Sequence, residues 1–246
     1  MKLINTHRDI SLLQLNNKEV LVIACDSAGG LGEKAQDQVK VSNRILGKYT
    51  VQVPLMEVMS IGAEVISVID NLAVEYEPTG REIIAGIREN LNLLSSAELL
   101  NGSTEENIST VQTALGVTVI GKITLKKLKR YTSSTQNNKI AAAGLPLTGE
   151  DLLKNESRAV NFKKFLQLKK LNYIEQILPV GSKGILYEAR ILAVENNFSF
   201  KVIDSGLDLE KSAGPASVVL LSLQEKDLAK LKKDIELPLH TVGKLI

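Results

Sequence analysis

Between Asp26 and Asp37 the chain sets a carboxylate, three glycines (Gly29, Gly30 and Gly32), an ammonium group (Lys34) and a second carboxylate into one polar stretch, DSAGGLGEKAQD. A phosphate group presented on magnesium needs those materials: carboxylate oxygens for the metal, positive charge for the phosphate, and backbone that can approach closely. A second polar stretch supplies Asn101, Gly102, Ser103 and Thr104, with Glu105 and Glu106 behind them. Both stretches also have plainer readings, a surface turn for the first and a helix cap or solvated turn for the second. What tilts the first toward chemistry is Asp26, which follows the apolar run Val20 to Ala24. That run reads as a strand, and a strand end holds a side chain more rigidly than the middle of a loop.

Other patterns come close to known motifs and fail on chemistry. Gly116 to Lys122 fits the start of a phosphate-binding P-loop, but Ile123 stands where the magnesium-binding Ser or Thr is required. Gly30, Gly32 and Ala35 spell a dinucleotide fingerprint, yet the following EKAQDQVKVSN lacks the apolar stripe of a helix that packs on a sheet. His7, Arg8 and Asp9 repeat a kinase catalytic triplet without its downstream Asn or room for a nucleotide lobe. With two histidines, His7 and His240, and the single cysteine Cys25, an ordinary zinc site is not supplied. Gly181 to Gly184 lies between a predicted strand and helix, where backbone amides either bind an anion or simply make a tight turn. Lys122, Lys126, Lys127, Lys129 and Arg130 read as a solvated strand or hairpin face.

The elements that must carry these residues alternate. Apolar spacing predicts a helix over Tyr49 to Ile61, with Pro54 arguing against an uninterrupted one and Glu57 facing either solvent or a cleft. A strand follows over Glu64 to Val74, a helix over Thr79 to Leu94, and a strand over Gly116 to Ile123. After the turn signal SSTQNN, strands are expected at Lys139 to Leu145, Ile174 to Val180, Phe198 to Ile203, Ala216 to Leu221 and Leu239 to Ile246. Helices are expected at Val160 to Lys170, Gly184 to Asn196 and Glu225 to Lys233. The class is α/β (α+β), in two domains, 1–132 and 133–246.

The 246 residues are 44% hydrophobic and 24% charged, with no Trp, so the core is aliphatic. Thirty basic residues against 28 acidic ones leave a net charge of +2, too little to recruit nucleic acid or an anionic membrane through the whole-molecule field. The start, MKLINTHRDISLL, is too charged for a signal peptide, and no segment has the ~20 apolar residues that span a bilayer. A cytoplasmic location is the expectation, with no nucleic-acid and no membrane partner.

Taken in order, ACDSAGGLGEKAQD, KYTVQVPLMEVMSIGAEVISVIDNL, NGSTEEN and GVTVIGK resemble the amino-terminal domain of the aminoimidazole ribonucleotide synthetase (PurM-like) superfamily. AAAGLPLTG, LPVGSKGILYEARILAVENN, the SAGP at Ser212 to Pro215 and the closing TVGKLI resemble its carboxy-terminal domain more faintly. The superfamily includes selenophosphate synthetases, thiamine monophosphate kinases and hydrogenase maturation dehydratases. The resemblance implies mixed sheets covered by helices, pairing of the amino-terminal sheets in a homodimer, and ATP held between that paired sheet and the carboxy-terminal domain. It further implies Asp26 and Lys34 at metal and phosphate, the 101–104 stretch in the same site, and metal contacts from Glu57 or Glu105. Asp9, near the start of the matching region, becomes a candidate base.

There are departures: Met56 and Glu57 replace the common Ser-Asp, a glycine-rich amino-terminal arm is missing, and LPVGSKG replaces the acidic HDxSDGG turn. Brevity and Glu57 look most like the short branch containing α-ribazole kinase. That resemblance implies Mg²⁺-dependent phosphorylation of the lower-ligand nucleoside of cobalamin. Another ATP-dependent reaction of the superfamily, or a non-catalytic ATP-binding dimer, stays open beside it.

Overall fold

The computed structural model describes residues 2–246. In chain order the strands are β1 (Lys2–Ile4), β2 (Ser11–Gln14), β3 (Glu19–Gly29), β4 (Leu31–Gly32), β5 (Val39–Lys40), β6 (Glu64–Leu72), β7 (Leu100–Thr104), β8 (Ala114–Thr124), β9 (Lys139–Gly144), β10 (Ile174–Pro179), β11 (Phe200–Val202), β12 (Val218–Leu223) and β13 (Leu239–Leu245). The α-helices are α1 (Asn43–Ser60), α2 (Arg81–Asn92), α3 (Leu125–Tyr131), α4 (Gly149–Lys154), α5 (Phe162–Leu168), α6 (Gly184–Glu195) and α7 (Leu228–Asp234).

Two sheets organise the chain. The first has the order β1-β2-β3-β8-β6-β7 and the second β10-β12-β9-β13-β11. Within these two sheets pairing is antiparallel except between β6 and β7, which run parallel across the α2 connection, and β4 and β5 form a separate short parallel pair. Strict alternation in β3 explains its placement: Val20, Val22 and Ala24 are buried under helices, while Leu21 and Ile23 on the opposite face are only half-buried. Strand β12, VVLLSL, is buried at every position, as a central strand covered on both faces must be.

Helix α1 lies between the two sheets, touching β3 and β8 on one side and β10 and α5 on the other. Its apolar residues therefore run around the whole helix, which is how a buried helix reads. Ser42 caps its start by accepting the Ile45 amide, and the helix continues through Pro54. Burial of Val51, Leu55, Met56 and Val58 offsets the donor that Pro54 removes. Helix α2 crosses α1 at two glycines: a Cβ on Gly47 would lie 2.1 Å from the Ile83 carbonyl, and one on Gly86 1.9 Å from the Arg44 carbonyl. One hydrophobic core includes α1, β3 and β8 together with Phe162, Phe165, Ile177 and Leu221, so residues from both sheets share it.

Two expectations need correction. NGSTEEN is not wholly a loop, because Leu100–Thr104 forms the edge strand β7 beside β6. The basic stretch after β8 is the helix α3 instead of a strand or hairpin, capped by Thr124 and anchored by the buried Leu128. Among the described residues no helix is long and apolar enough to cross a membrane.

Candidate functional site

On the helix-covered face of β3, the buried row Val20, Val22, Ala24 ends on Asp26. Burial there pushes the Asp26 carboxyl up to about 6, with the charge of Asp9 adding to the shift and the Ser27 amide opposing it. Asp9 itself is exposed, just before β2. Its charge also acts on two further carboxylates, Glu57 of α1 and Glu188 of α6. Glu57 is only 9% exposed and its Oε2 has no hydrogen-bond partner. Burial raises its carboxyl to about 8, eased by Arg8 and reinforced by Glu188 and Asp9. Glu188 rises to about 7, again chiefly through burial. The charge of Asp9 thus links three carboxylates from three separate elements, Asp26, Glu57 and Glu188, and the ionised form of each of those three is disfavoured.

The compensating charge from the protein is Arg8. Its side chain is fully buried, with Nε 3.1 Å from Glu195 Oε2 and the guanidinium donating to Ser60 Oγ and the Ile177 carbonyl, each at 3.4 Å. Glu195 also accepts from Thr6 Oγ1 at 2.5 Å and the His7 amide at 2.7 Å. This network fastens the segment before β2 to α1, β10 and α6, and so fixes Asp9. Arg8→Ala leaves Glu195 buried with an unmatched charge, and a loss of about 3–5 kcal/mol in denaturant-unfolding stability is expected.

Asp9, Lys183, Tyr187 and Glu188 border a cleft of about 160 Å³. Lys183, in the turn Gly181–Gly184, lies over the Tyr187 ring at 4.3 Å from its centroid and donates to its hydroxyl at 3.2 Å. Its ammonium eases the ionisation of Glu188.

The first loop folds back on the start of β8. Gly30 has φ +72° and its amide donates to the Thr113 carbonyl. Gly32, at φ +141°, sits where a Cβ would lie 2.6 Å from Thr113 Oγ1, so its missing side chain makes room for the protein's own polar groups. Gly29 meets no such neighbour. Asp37 holds the loop, accepting the Thr113 amide and hydroxyl at 2.7 Å each and the Lys34 amide at 2.8 Å. Lys34 Nζ is engaged by Glu75 Oε2 at 2.6 Å and donates to the Thr110 carbonyl at 3.1 Å.

The second stretch meets the same place. Tyr76, next to Glu75, donates its amide to Glu106 Oε1 at 2.8 Å, and Thr104 Oγ1 donates to that oxygen at 2.6 Å. Glu105 Oε1 instead accepts the amides of Asn107 and Ile108, which makes Glu105 a local turn residue. The two loops therefore adjoin at Glu75 and Tyr76. Among the described residues no three Asp, Glu, His or Cys side chains form a ready-made metal cluster, so Asp26, Glu57 and Glu105 are not assembled as one.

Three participants escape the sequence reading: Arg8, Glu188 and Asp70. Asp70 is an inward position of β6, between the buried Val68 and Leu72. A carboxylate in an otherwise apolar alternation is the one sequence signal that marks it. Glu188, in a helix of mixed pattern, carries none.

Residues 7–123 match the family model described as AIR synthase related protein, N-terminal domain. This first part of the chain, just under half of it, is similar to that domain. The whole chain has the PurM-like fold of several solved structures. PurL from T. maritima, complexed with AMPPCP, aligns with 96% of the chain at 14% identity and a TM-score of 0.65. The chain spans only 42% of that protein. Thiamine-monophosphate kinase from Stenotrophomonas maltophilia K279a aligns with 99% of the chain, which covers 88% of the kinase, at 17% identity and a TM-score of 0.63. E. coli HypE, a hydrogenase maturation protein, aligns with 92% of the chain and is covered over 79% of its own, at 12% identity and a TM-score of 0.66. No curated protein matches the chain significantly.

Proposed function

We propose that the protein is an ATP-dependent small-molecule kinase that transfers the γ-phosphoryl group of ATP to a nucleoside hydroxyl, with α-ribazole as the acceptor. The observation that carries the reading is the orphaned Glu57 carboxylate grouped with Asp9, Asp26 and Glu188. Such a group is costly to hold ionised without a cation. Mg²⁺ usually keeps several waters and takes one or two carboxylates plus substrate phosphates, so a ready-made cage of three is not required. Asp26 and Glu57, with Glu188 in the place that sequence reading gave to Glu105, are the residues that fit it. When bound, the ion neutralises charge on the β and γ phosphates.

The chain's own groups then divide the work. Asp9, the exposed member of the four, accepts the proton of the acceptor hydroxyl. Lys34 meets the phosphates by exchanging its contact with Glu75, and Gly29, the open glycine of the first loop, lets backbone approach them. The 101–104 strand lies beside that loop and completes the nucleotide site. Similarity in fold to a thiamine-monophosphate kinase and to PurL complexed with AMPPCP supports ATP as the phosphoryl donor. The α-ribazole acceptor rests on the resemblance of the sequence to that short branch.

A homodimer through the outer face of the first sheet belongs to the same reading. Leu21, Ile23, Ile69 and Ile120 stay half-exposed there, and Ile23 and Ile120 are cross-strand neighbours. Ile23→Asp is expected to convert the dimer to monomer in sedimentation, since it sets a charge at the centre of an apolar contact.

The function itself is tested by incubating the protein with Mg-ATP and a panel that includes α-ribazole and thiamine monophosphate. ADP and phosphorylated α-ribazole should appear in equal amounts. ADP released with another acceptor moves the assignment within the superfamily, and nucleotide binding with no transfer to any acceptor makes the protein a non-catalytic binder.

A further inference from the structure

A second cleft, of about 280 Å³, opens between helix α2 and the edge strand β7, with Asp70 as its floor. Asp70 is 2% exposed and forms no ion pair among the described residues. The Ser103 amide donates to its carboxylate and Arg88 lends it charge from the rim, while burial still raises the carboxyl to about 6. Gly102 keeps it in place: a Cβ there would lie 1.5 Å from Asp70 Oδ1. Beyond the Ser103 amide the fold supplies this carboxylate with no further partner, and the neighbouring inward residues, Val68 and Leu72, are apolar and buried. An apolar side chain at position 70 would stabilise the sheet more.

The walls differ from the floor. Tyr76, 45% exposed, and Ile84 present ring and aliphatic surface, and Arg88 stands at the mouth. A carboxylate that needs donors, set under an aromatic face and beside a cation, suits a ligand that is planar and apolar at one end, hydroxylated in the middle and anionic at the other. Across the sheet, Asp26, Val117, Asp70 and Gly102 are consecutive register partners. Asp26 and Asp70 therefore lie in one row, two strand spacings or roughly 10 Å apart.

We propose that this cleft is a nucleoside subsite in which Asp70 accepts hydrogen bonds from ribose hydroxyls and Tyr76 and Ile84 flank the base. It deepens the kinase reading and rests on it only for which nucleoside is bound, that of ATP or that of the acceptor.

Calorimetric titration with adenosine, 3′-deoxyadenosine and α-ribazole tests it on wild type, Asp70→Asn and Tyr76→Ala. Asp70→Asn should weaken binding of a ribonucleoside about tenfold or more. The 3′-deoxy compound should lose a similar factor on wild type and little further on Asp70→Asn. Tyr76→Ala, altered at an exposed position, should also weaken binding while melting as wild type does. Loss confined to adenosine, with a raised KM for ATP, identifies the nucleotide; loss confined to α-ribazole identifies the acceptor. Unchanged affinities in both variants, or no binding of any nucleoside to wild type, overturn the subsite. If no phosphoryl transfer is found but adenosine binding still depends on Asp70, the subsite stands and the kinase reading does not.

Discussion

Asp26→Asn is expected to lower phosphoryl transfer by about 10²–10³-fold or more, the scale at which removal of a single electrostatic contact to a transition state is felt. The fold should be retained. Asn has the shape of Asp and can still accept the Ser27 amide that the carboxylate accepts. It also removes a charge that burial and Asp9 both disfavour, so the ligand-free variant should melt no lower than wild type above about pH 6. Loss of activity with an equal or higher melting temperature is the signature of a functional carboxylate; a structural one would give the reverse. Nucleotide affinity without Mg²⁺ should change little, while the gain in affinity on adding Mg²⁺ should shrink. Turnover within tenfold of wild type, measured as ADP release, would remove Asp26 from the site.

The physics that makes Asp26 interpretable was visible in the sequence. An apolar β-branched run ending on a carboxylate and three glycines points to a strand emptying into a site, and β3 does run to Gly29. Helices with a clear apolar spacing, such as α2, were legible for the same reason. Strand β7 was not, because an edge strand with Asn101, Gly102 and Ser103 all exposed carries no alternation. Helix α3 was hidden behind its lysines: one buried leucine and a threonine cap hold it, too little signal against a charge run. The site shows the same division. Residue types in the first loop suggested phosphate contacts, but pairing of Lys34 with Glu75 joins positions far apart in the chain. Glu188 and Arg8 come to Glu57 only because α1 and α6 both pack against β10, which no local pattern encodes.

That packing makes stability the sharpest test of Glu57. In the unfolded chain its proton leaves near 4.5, whereas in the fold it is held to about 8. The folded state binds the proton more tightly, so its contribution is fully present below about pH 4 and is lost as the pH rises to about 8. At pH 7 the gap amounts to about 3 kcal/mol, and Glu188, Asp26 and Asp70 move stability in the same direction. The chelator-treated wild type should therefore melt higher at pH 5.5 than at pH 8. Glu57→Gln, which mimics the protonated side chain, should melt roughly 6–12 °C above wild type at pH 7, and further above it at pH 7.5, given the few degrees that each kcal/mol moves a domain of this size. At pH 4.5 the two should converge. The price is paid in ligand response: Mg-ATP should raise the melting temperature of wild type more than that of the variant, because a bound cation relieves a repulsion the variant no longer has. A variant that melts lower at pH 7.5 would mean that Glu57 is already satisfied within the fold, and the four carboxylates would then have no need of a cation.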